Sequence, residues 1–77
     1  MSSYKETAIN AQYHQALSDK LKAEASLEIL LNHPAGIGDH STTDLHGNLH
    51  EAYSKLADAK GRLREIEEHK NNNSGPI

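Results

Sequence analysis

His33-Pro34-Ala35-Gly36-Ile37-Gly38-Asp39-His40 separates two long stretches that both carry helical heptads. Pro34 disfavours helical geometry at His33. Gly36 and Gly38 permit the positive φ that a tight turn or a helix end requires. A breaker between two periodic runs predicts a chain that leaves as one helix and returns as another.

On the C-terminal side the pattern is regular. Leu45, Leu49, Ala52, Leu56, Ala59, Leu63 and Ile66 follow spacings of 4, 3, 4, 3, 4 and 3, an a/d seam along one face of a helix. Ser41 or Thr42 can cap its start, and Asp39 and Asp44 suit the positive end of the helix dipole. Lys60, Arg62, Arg64 and Lys70 fall in the later half, which suits the negative end. The second helix is expected over about 41–70. On the N-terminal side, Ile9, Tyr13, Ala16, Ala23, Leu27 and Leu30 form one row, and Leu17, Leu21 and Leu31 form the row beside it. Lys20 interrupts the first row and Glu24 the second. A stripe this wide belongs to a helix with more than one neighbour. The first helix is expected over about 3–32, with 33–40 as the hinge.

Folding the chain back at the hinge sets Leu31 opposite Leu45, Leu27 opposite Leu49, Ala23 opposite Ala52, Ala16 opposite Ala59, Tyr13 near Leu63 and Ile9 near Ile66. Small residues then face small residues once per heptad, which permits a helix separation at the low end of the usual range. Alanine is also the best helix former, which is a second reason for finding it there. The fold class is all-α: an antiparallel, coiled-coil-like two-helix hairpin packed on alanines. Asn71-Asn72-Asn73-Ser74-Gly75-Pro76-Ile77 lacks periodicity and reads as a flexible tail over 71–77.

Seventy-seven residues make one small domain, and the absence of cysteine removes disulfide and thiolate staples. Two helices cannot enclose a core. Leu17, Leu21, Ile29, Leu30 and Tyr53 are left over as an interaction face, and pairing two hairpins into a four-helix bundle would cover them. A homo-oligomer, a dimer first, is therefore expected. Net charge is −3 with the signs mixed along both halves, so the footprint of a nucleic-acid binder is missing. The longest apolar run, Ile29-Leu30-Leu31, is far short of a membrane span, and the polar start argues against a secretory signal. A cytoplasmic protein is expected.

Chemistry concentrates in the hinge. His33, Gly36, Gly38, Asp39, His40 and Ser41 form a glycine-bearing segment leading into a helix N-terminus, which can bind phosphate through backbone N–H groups. No P-loop lysine follows, the preceding segment is helical rather than a strand, and Asp39 and Asp44 would repel an anion. The same residues also describe a well-specified turn. His46 and His50 stand four apart and share a helix face, so both can reach one metal. Gly47 stands where a zinc-protease motif needs glutamate. His14 and His69 fall at a similar level near the open end of the hairpin. No nucleophile–base pair is recognisable, so no catalytic residue is assigned, no cofactor is implied and an enzyme is not expected.

The segment Leu31-Asn32-His33-Pro34-Ala35-Gly36-Ile37-Gly38-Asp39-His40, followed by an amphipathic helix, resembles small uncharacterised helical-hairpin proteins of tailed bacteriophages, in which two helices flank a Pro-x-Gly-x-Gly-[Asp/Glu]-His turn. The resemblance covers about half the chain. It implies a phage accessory protein made in the host cytoplasm and no assigned activity. The leading functional expectation is a non-enzymatic module that self-associates and binds another protein, a host protein if the chain is phage-encoded. The alternative is an oligomer that binds and sequesters a small ligand or nucleotide at its hinges, and a third is a metal site at His46 and His50.

Overall fold

The computed structural model describes residues 3–32 and 42–74, and within them there are two helices and no strand. Helix α1 spans Tyr4–Asn32 and α2 spans Thr42–Ser74. The first begins on a side-chain cap. The Glu6 backbone N–H donates to Ser3 Oγ at 3.1 Å and that of Thr7 to the Ser3 carbonyl at 3.0 Å, which satisfies donors that a helix start leaves open. At the other end Asn32 Nδ2 donates to the Glu28 carbonyl at 2.9 Å, one residue before His33-Pro34. The hinge, 33–40, and Ser41 lie outside the described residues.

Helix α2 continues four residues beyond the end expected from its heptads. Asparagines are indifferent helix formers but not breakers, and the first strong stop is Gly75-Pro76, where proline acts on the residue before it. Residues 75–77 of the expected tail lie outside the described residues.

The helices pack against each other along their length, antiparallel. Five described residues are buried: Ala16, Ala23, Leu27, Ala52 and Ala59. Ala16 and Ala59 are fully enclosed, so the alanines form the contact seam rather than merely favouring helix. Two long-range contacts set the register. Side chains on a helix lean toward its N-terminus, so Arg62 leans back to the level of Asp58 and Asp19 to that of Gln15. They meet beside the Ala16–Ala59 level, as Arg62 Nη2 donates to Asp19 Oδ2 at 2.8 Å. In the same way Lys70 and Tyr13 meet one heptad further out, with Lys70 Nζ 5.1 Å from the ring centroid.

The hinge end is looser than the register predicts. Leu31 was expected to close against Leu45 but is 54% exposed, and Leu45 is half-buried. Leu31 sits on the flank of α1 rather than in line with Ala16 and Ala23, so it lies beside the seam and only partly under α2.

Candidate functional site

A hairpin has two broad sides, and the helical repeat sorts its residues between them. On one side lie Leu17, Leu21 and Leu31 of α1 and Leu49, Tyr53 and Leu56 of α2. Leu21, Leu31 and Tyr53 are each more than half exposed, and Leu17, Leu49 and Leu56 are half-buried. Leu17 and Leu21 line a shallow apolar groove with His14, Ser18 and Ala25. Lys20, Glu24 and Glu28 are charged residues of α1 that interrupt this side, Lys20 and Glu24 nearest the seam. Among the described residues none of the three takes part in an ion pair.

The other side is ionic. A groove of about 660 Å³ runs along it, with Ala23 and Ala52 at the seam and Asp19, Lys22, Glu51, Lys55, Asp58 and Arg62 on its flanks. Arg62 bridges the helices: Nη2 reaches Asp19, and Nε donates to Asp58 Oδ2 at 3.0 Å. Gln15 Nε2 adds a second donor to Asp19 at 3.1 Å. The Arg62 hydrogen bond first, and the Gln15 one after it, hold the Asp19 carboxyl below its ordinary value. Lys55 does the same to Glu51 across 2.9 Å of one helix face. The alternating signs cancel, so this groove carries no field selective for an anion or a cation.

The interaction face expected from sequence is therefore divided. Leu17, Leu21 and Tyr53 share the leucine side, whereas Ile29 and Leu30 line the ionic groove with Ser26. Leu31 belongs with the first group and was missed, because it had been assigned to the closed end of the core. In the sequence Arg62 counts only as one of the basic residues that suit the negative end of α2. Its place three residues beyond Ala59, at the edge of the seam, is the signal that identifies it as a bridge.

The candidate ligand residues His33, Gly36, Gly38, Asp39, His40 and Ser41 lie outside the described residues. Because the helices are antiparallel, Asn32 and Thr42 lie at the same end of the pair. His46 and His50 are both exposed on α2. Among the described residues no group of three histidine, aspartate or glutamate side chains is placed to hold a metal. His14 and His69 are not brought together: His14 borders the apolar groove, and His69 a shallow depression with Glu65, Ile66 and Glu68. No helix among the described residues is long and apolar enough to cross a membrane.

No family model, curated protein or solved structure matches the chain.

Proposed function

We propose that this chain is a non-enzymatic protein-interaction module that works through its leucine side and self-associates there into a four-helix bundle. The observation that carries the reading is the mismatch between what the hairpin buries and what it displays. Its seam buries four alanines and one leucine, while leucines and a tyrosine line an adjoining side in the open. Alanine burial removes little apolar area, so the seam alone stabilises weakly, and a chain this short buries too small a share of its surface to be more than marginal alone.

The resemblance to phage hairpin proteins supports an accessory role in the host cytoplasm, with a host protein as the second partner. The test of the general reading is Leu21→Glu, at an exposed site where the hairpin itself loses nothing. Loss of association with retained helicity supports it. Association unchanged by a charge in the middle of this side rules the surface out.

A second reading keeps one specific support. In sequence, two histidines, an aspartate and two glycines stand between the two helices, just before α2 begins at Thr42. Such a segment suits a phosphorylated small molecule, a nucleotide foremost, sequestered rather than turned over. A thermal-shift screen with nucleotides tests it, because a ligand that binds only the folded chain must raise the Tm. A shift that Gly38→Ala abolishes supports it, and a screen without any shift removes it.

A further inference from the structure

We draw no further inference here: the strongest candidate, the leucine side of the hairpin around the exposed Leu21, Leu31 and Tyr53, carries nothing beyond the self-association already proposed, because nothing in the structure shows what covers it or in which orientation.

Discussion

Arg62 reaches across the hairpin to Asp19, Nη2 to Oδ2 at 2.8 Å, while its Nε stays on Asp58 of its own helix at 3.0 Å. One guanidinium thus ties the two helices at the level of the fully buried Ala16 and Ala59. Its fork geometry lets it hold two carboxylates at once, which a lysine ammonium does with less direction. Both ends of the bridge remain partly in solvent, with about a third of each side chain exposed, so its role is to select the register more than to supply stability.

This bridge gives a pH dependence with a definite sign. The Asp19 carboxyl lies below its ordinary 3.8 in the folded chain because Arg62, and secondarily Gln15, donate to it. A depressed folded pKa stabilises above the unfolded value and stops doing so as pH falls through the folded value. Thermal melts are expected to show wild type above Asp19→Asn by a few degrees at pH 6. The gap is expected to narrow below about pH 4 and close under further acidification. A gap that is constant with pH would mean that the carboxylate charge is not what acts.

The alanine seam is tested by bulk. Ala16→Leu and Ala59→Leu insert side chains where no space exists, and overpacking of this kind costs about 1–3 kcal/mol. Ala57→Leu, on the exposed face of the same helix, is expected to change little, since leucine is nearly as good a helix former. Equal effects at all three sites by denaturant titration would reduce the alanines to propensity alone.

Gly47 and Gly61 lie inside α2, and an added Cβ at either meets nothing within 4 Å. Each glycine costs the helix backbone entropy, so Gly47→Ala and Gly61→Ala are each expected to stabilise by about 0.5–1 kcal/mol. Additive gains in the double variant, measured by chemical denaturation, are the expected result. A loss at either position would show that its face is covered by something the hairpin alone does not contain.

Parts of this structure were legible in residue spacing and parts were not. The leucines at 45, 49, 56 and 63 announce the α2 seam, and folding back at Pro34 brings Ala16 to Ala59 and Ala23 to Ala52 with no further information. Periodicity assigns a residue to a face, but it does not say how tightly two helices close at their ends, which is why Leu31 was placed in the core. It also treats a charged residue as outward-facing. Arg62 and Asp19 meet only because each leans toward its own N-terminus, a side-chain direction that spacing alone does not carry. Ile29 and Leu30 could have been separated from Leu17 and Leu21 on a helical projection, since they lie on opposite flanks of Ala23. The hinge residues from His33 to His40 lie outside the described residues, and their chemistry remains a reading of residue types.

On the proposed function the leucine side is covered by a second copy, and that coverage is measured by the mass of the wild-type particle across a concentration series. Sedimentation equilibrium is expected to give twice the 8.5 kDa chain mass, falling toward the single chain only on dilution and losing helical signal as it does. A particle that stays at 8.5 kDa at high concentration, with its helicity intact, would contradict a hairpin completed by its own copy.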